Sequence, residues 1–164
     1  MPTTYEPIAT TTLGSAASEI IFSSIASSWT DLMVVLIATH STGGSSARMQ
    51  FNGDTGTNYS YTRLSGDGAT ATSGRGTSTA FIIINNQLGT TNPSLIRINI
   101  FSYAGSTNKT VLTESAEDQN GTGNVARVVG LWRNTAAITS LRLFPGSANF
   151  NAGTTATLYG IKNA

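Results

Sequence analysis

Apolar residues along the chain recur at every second position or in short blocks, and clusters of Gly, Asn, Ser, Thr and Pro interrupt them at strand-and-turn intervals. No stripe of helical period runs through any long segment. The pattern predicts strands over Tyr5–Leu13, Ser18–Phe22, Asp31–Thr39, Ala47–Phe51, Tyr59–Leu64, Thr79–Asn85, Ser94–Ala104, Lys109–Ala116, Val125–Arg133, Ala137–Phe144 and Thr154–Ile161. In Leu95–Ile100 the alternation sends Ile96, Ile98 and Ile100 to the core and Arg97 and Asn99 outward. Likewise Leu141 and Leu143 point inward and Arg142 outward. Leu32–Ile37 and Phe81–Ile84 are apolar without a break, as in strands covered on both faces, so the other sheet is expected on one side and another subunit on the other, with one of these strands a candidate for the oligomer interface. Phe22–Trp29 reads as a helical turn between strands, with Trp29 plugging one end of the fold. Ser41–Ala47 and Ser65–Ser78 read as loops, the second ordered by a partner through Arg75. The expected fold is a single all-β domain over residues 1–164, a jelly-roll-like antiparallel β-sandwich.

Composition changes what such a domain can do. Thr, Ser, Asn and Gly make up 75 of the 164 residues, and charged residues only 10%, against about 25% in ordinary soluble domains. With a net charge of +1 there is little self-repulsion, so assembly is favoured over isolation. Seven Arg and two Lys are scattered, which argues against direct nucleic acid binding. Residues 1–14 have no basic start and no apolar run, so no secretion signal is expected. Its longest strongly apolar stretch, Leu32–Ala38, is far short of the roughly 20 residues of a membrane helix, so no membrane partner is expected. Without cysteine there is no thiol catalysis, thiolate metal site or disulfide scaffold.

Catalytic equipment is sparse. His40, the one histidine, reads as a partly exposed strand end with no G-x-S-x-G elbow to serve. Glu114, Glu117 and Asp118 form the one acidic cluster, but strand alternation sets Glu114 and Glu117 on opposite faces, away from the convergence glycosidases need. Asn52–Asn58 places oxygen ligands at spacings faintly like a calcium loop and lacks its bidentate Glu, so a turn is the better reading. No catalytic residue, metal or cofactor is assigned, and the chain reads as no enzyme. Tyr59, Tyr61 and Arg63 fall on one strand face and, with Arg75, are the candidate interface residues; ordinary core or surface packing and a glycan site are the alternative uses of that stripe. Trp132 is expected in the core.

Three stretches carry a resemblance: I-x-F-S-S-I…W-T-D-L from Ile20 to Leu32, FNGDTGTNYS from Phe51 to Ser60, and TATLYGIK from Thr155 to Lys162. With them, most of the chain resembles small structural proteins encoded in the virion gene clusters of tailed phages, especially those of aquatic bacteria and cyanobacteria. The resemblance implies a β-sandwich component of the phage particle. Combined with the composition, it leads to the expectation of a homotrimeric capsid cement or decoration protein in the virion, made in the host cytoplasm and bridging copies of the major capsid protein. The alternative is a tail-fibre or receptor-binding module that recognises host glycans.

Overall fold

The computed structural model describes residues 4–162. Twelve strands form two antiparallel sheets: β1 (Tyr5–Thr12), β2 (Ile20–Phe22), β3 (Asp31–Ala38), β4 (Ala47–Phe51), β5 (Tyr59–Gly66), β6 (Ala71–Thr79), β7 (Ile82–Ile83), β8 (Ser94–Phe101), β9 (Lys109–Asp118), β10 (Gly123–Trp132), β11 (Leu141–Pro145) and β12 (Thr155–Ile161). The large sheet runs β1-β12-β3-β8-β9-β10-β5-β6 and the small one β2-β11-β4-β7.

The pairing is nested. β1 pairs with β12, β2 with β11, β3 with β8 and β4 with β7, so the first half of the chain lies along the second half and the paired ribbon rolls up into two layers. This is the jelly-roll order, and the chain is a β-sandwich of that kind. Two hairpins are inserted into it. β5–β6 leaves between β4 and β7, and β9–β10 between β8 and β11; both join the large sheet beyond β8 and double its width. The β9–β10 hairpin turns through Asn120-Gly121, both at positive φ (63° and 104°), the mirror-image turn that matches strand twist.

The core lies between the layers. Leu32, Val34 and Leu36 of β3 and Ile96, Ile98 and Ile100 of β8 face Met49 and Phe51 of β4 and Leu141 and Leu143 of β11, all fully buried. Burying each such side chain contributes about 1.5–3 kcal/mol, so the alternating strands drive the collapse.

In the single chain the small sheet covers one face of Leu32–Ile37; on the other, where the sequence expects another subunit, Met33 and Val35 are half-buried and Ile37 is 44% exposed. Phe81–Ile84 buries Ile82 and Ile84, while Phe81 and Ile83 stay half-buried. Ser65–Ser78 is not a loop but the end of β5, a four-residue turn and most of β6. The Asp67 carboxylate holds that turn by accepting the N–H groups of Ala69 and Thr70 at 2.9 and 2.6 Å. Phe22–Trp29 forms no helix. The segment runs irregularly, with Ser24 at φ 56°, because its backbone is bonded to distant partners instead. Ile25 N–H donates to Thr139 O and Trp29 N–H to the Tyr103 hydroxyl, which itself donates to Ala26 O. Trp29 is half-buried and closes the sandwich end as a lid over Gly160, with the Lys162 ammonium 4.7 Å from the ring centroid. Strand pairing over Ala137–Phe144 begins only at Leu141.

Candidate assembly face

Widening the large sheet creates a broad outer surface, and residues opposite one another across paired strands share that face. Four register rows cross it. One runs Thr155, Ile37, Leu95, Ala116, Val125, Gly66, Ala71. The next runs Thr157, Val35, Arg97, Glu114, Arg127, Leu64, Ser73. A third joins Tyr159, Met33, Asn99, Leu112, Val129, Thr62 and Arg75, and a fourth joins Phe101, Thr110, Leu131 and Ser60.

Val125 (61%), Leu64 (60%) and Leu95 (51%) are the most exposed large apolar residues of these rows, and Ile37, Val129 and Phe101 join them. Tyr5, exposed on the edge strand β1, continues the last row beside Ile161. Of the large apolar side chains exposed among the described residues, Ile21 alone lies on the other sheet. Lone exposed apolar residues are ordinary; so many on one face mark a contact surface.

Charge sits at the centre of this face. Glu114 receives a hydrogen bond from the Arg97 guanidinium on one side and from Arg127 on the other. These hydrogen bonds hold the Glu114 carboxyl below its ordinary range. Because its folded value is depressed, the ion triad is intact above the ordinary carboxylate range and is lost as pH falls through the lowered value. Two guanidinium groups share one carboxylate, so the cluster keeps one positive charge. Shallow depressions flank it, one lined by Leu64, Ala71, Val125 and Ala126 and the other by Leu95 and Ala116.

The residues singled out from the sequence divide. Tyr59 is fully buried: its hydroxyl donates to Asp54 O and accepts from Phe51 N–H, and burial first of all pushes its pKa up to about 12. It offers no surface to a partner in the folded chain. Tyr61 is half-buried under Gly76, and Arg63, with its Nε buried and unpaired, lies on the same inner side of β5 beside Gly74. Arg75 alone of the four is exposed, on the outer face opposite Thr62. The Tyr-Tyr-Arg stripe therefore faces inward, and the exposed surface of β5 is made by Thr62 and Leu64.

His40 is buried, not partly exposed. Its Nε2 lies 2.5 Å from Ser147 O and its Nδ1 accepts from Thr42 N–H at 3.2 Å, tying two loops together. Glu114 and Glu117 lie on opposite faces, and Glu117 takes a hydrogen bond from Gln119. The Asn52–Asn58 segment is a turn whose Asp54 carboxylate accepts from Gly56 N–H, Asn58 Nδ2 and Trp132 Nε1 at 2.9, 2.9 and 2.7 Å. Burial alone pushes Asp54 up, but the hydrogen bonds from Trp132, Asn58 and Gly56 outweigh it and hold the carboxyl below 3.8.

Sequence reasoning missed Lys109. Its ammonium is buried and donates to the carbonyls of Gly105, Thr107 and Thr135, and burial lowers its pKa from the ordinary value. A lysine opening a strand carries no sign of this, because Thr135 arrives from another part of the chain. We expect Lys109→Met to cost about 2–3 kcal/mol, since three carbonyls lose a charged donor; urea denaturation measures it, and a loss below about 0.5 kcal/mol would show that water replaces the ammonium freely.

Of the rings outside the core, Phe81 and Phe144 on the outside of the small sheet are each covered by a guanidinium, Arg48 at 4.1 Å and Arg142 at 4.3 Å. Those ring faces are already occupied. Comparison with protein-family models, with curated proteins and with solved structures returned no match to the chain.

Proposed function

We propose that this chain is a structural protein of a tailed-phage particle, a non-enzymatic cement or decoration protein that docks on neighbouring capsid subunits through the outer face of its large sheet. The observation that carries the reading is the gathering of exposed Leu64, Leu95, Val125, Val129, Ile37 and Phe101 on one face. The phage resemblance of Ile20–Leu32, Phe51–Ser60 and Thr155–Lys162 supports it, and jelly rolls serve as viral capsid and lectin domains. Fold alone does not choose between those two uses. The site does favour one: a flat apolar field around a charged centre suits a protein partner, while Phe81 and Phe144 have a ring face taken by arginine.

The partner's chemistry follows from the Arg97–Glu114–Arg127 cluster. A capsid subunit that brings one carboxylate over the two guanidinium groups, with apolar residues into the flanking depressions, would neutralise the cluster as it buries it. Bridging two subunits in this way opposes their separation under the pressure of packaged DNA.

The test is made on the particle that encodes the chain. Val125→Asp and Leu64→Asp replace exposed side chains, so melting temperature should stay within a few degrees while incorporation into virions, read by mass spectrometry, falls at least tenfold. Cryo-EM should place the wild-type chain on the capsid shell. Undiminished incorporation of both variants defeats the outer-face reading. A chain found on the tail, with adsorption to host cells lost in its absence, establishes the receptor-binding alternative instead.

A further inference from the structure

The large sheet ends in two edges of different character. At one end, β1 carries Pro7, which has no N–H to donate, and its ladder is broken by a register shift between Pro7 and Ala9. Glu6 adds a charge there. Proline, bulges and charges are the ordinary means by which an edge strand is made unable to pair. The edges of the small sheet are β2 and β7, of three and two residues, too short to matter.

β6 is blunted only at its far end, where a bulge at Thr77–Ser78 with Ser78 at φ 52° breaks its ladder; over Ala71–Gly76 it pairs with β5 without a shift. It is nine residues long, pairs with β5 alone, and none of its residues is buried. Its sequence ATSGRGTST holds no proline, no acidic residue and one charge, Arg75. Such a strand adds nothing to the core, and its free edge presents a row of unpaired N–H and C=O groups. The register says which. Asp67 N–H donates to Thr70 O across the turn, and pairing continues without a shift from Gly66–Ala71 to Tyr61–Gly76. In an antiparallel ladder hydrogen-bonded and non-bonded pairs alternate, so Thr72, Gly74 and Gly76 bond to β5. Ala71, Ser73 and Arg75 turn their backbone groups to the open edge.

We propose that β6 pairs antiparallel with β6 of a second copy about a two-fold axis centred on Gly74, making one continuous sheet across the pair. A strand of small residues is complementary to itself. The register centred on Gly74 sets Arg75 against Ser73, where one centred on Arg75 would oppose two guanidinium groups. A ring of three would need β6 to meet a different surface head to tail, and the other long edge, β1, is the blunted one. The pairing thus gives self-association a two-fold form in place of the homotrimer expected from the sequence. It rests on the fold and is independent of the capsid reading.

The free full-length chain is measured by sedimentation equilibrium at about 50 µM. The expected mass is twice 17.0 kDa. Ser73→Pro removes an edge N–H that β5 does not use and should return the monomer with an unchanged circular dichroism spectrum. If that variant does not fold, Gly74→Cys serves: the chain has no cysteine, and a Cβ at Gly74 meets only Arg63 Nη2 at 3.7 Å. Non-bonded antiparallel partners lie about 4.5 Å apart at Cα, within disulfide reach. Mild oxidation should therefore cross-link Gly74→Cys at least tenfold faster than Thr12→Cys on the blunted edge. A wild-type monomer or trimer, a dimer that survives Ser73→Pro, or equal cross-linking at the two edges overturns the pairing. Val125→Asp should leave the dimer intact, so loss of capsid docking and loss of pairing are read separately.

Discussion

Trp132→Ala is expected to lower the stability of the domain by about 4 kcal/mol, the upper part of the range for removing a buried large aromatic side chain. Trp132 is 1% exposed, stacks at 6.3 Å on Tyr59 and packs at 5.4 Å on Phe51, so the vacated volume is walled by two rings that β5 and β4 hold in place. The cost includes a second part. Its Nε1 donates at 2.7 Å to Asp54, and that carboxylate also closes the turn from Phe51 to Tyr59. Trp132→Phe should therefore recover most of the packing and still lose about 1.5–3 kcal/mol, the ordinary worth of a hydrogen bond to a charged group. Guanidinium denaturation of the three proteins measures both parts. Equal stability of Trp132→Phe and wild type would remove the Asp54 bond from the account. Acid adds a further check with a defined sign. Asp54 is held below 3.8 in the folded chain, so its contribution is present above that value and is lost as pH falls through the lower folded one. Asp54→Asn should accordingly lose less stability than wild type between about pH 5 and pH 2.

Gly89→Ala is expected to cost about 2–3 kcal/mol, as overpacking does where the neighbour cannot move aside. A Cβ there would lie 2.1 Å from the backbone oxygen of Asn92 and 2.4 Å from Gln119 Nε2. The backbone has no freedom to retreat. Gly89 O accepts from His40 N–H at 2.9 Å and Gly89 N–H donates to Ser94 Oγ at 2.8 Å, so the residue is fixed from both sides. Gly14, where an added Cβ meets nothing within 4 Å, is the control, and Gly14→Ala should be neutral within about 0.5 kcal/mol. Should Gly89→Ala melt with wild type, the Asn92 loop has yielded and the close approach is not a constraint.

Parts of the fold are legible in the sequence alone. The alternation in Leu95–Ile100 and at Leu141 and Leu143 placed the right side chains inward, because a strand's period of two is a local property of the backbone. The Asn120-Gly121 dipeptide at the β9–β10 turn is a hairpin mark of the same local kind. β6 was not legible, since Thr, Ser and Gly without apolar partners read as a loop. Its signal was Gly68 at the first central position of the two-residue turn Gly68-Ala69, a hairpin mark that composition obscured. The continuous runs Leu32–Ile37 and Phe81–Ile84 ask for cover on both faces; the packing of the two sheets supplies it on one, and the second face of β3 lies on the surface of the single chain, where the sequence expects another subunit.

What the sequence determined by itself is the β class, the inward residues of β8 and β11 and the low content of charged side chains, all properties of neighbouring residues. Tertiary structure alone decided the rest. The nested order of β1–β12, β2–β11, β3–β8 and β4–β7 pairs segments as far apart in the chain as Tyr5 and Ile161. His40 meets Ser147, Asp54 meets Trp132 and Lys109 meets Thr135 across separations of 107, 78 and 26 residues. Whether a polar side chain is buried and satisfied, or an apolar one stranded on an open face, depends on which distant strand arrives beside it. No local pattern encodes that arrival. It is settled by the packing of both sheets around one core, and the same packing leaves the outer face of the large sheet and the edge of β6 uncovered.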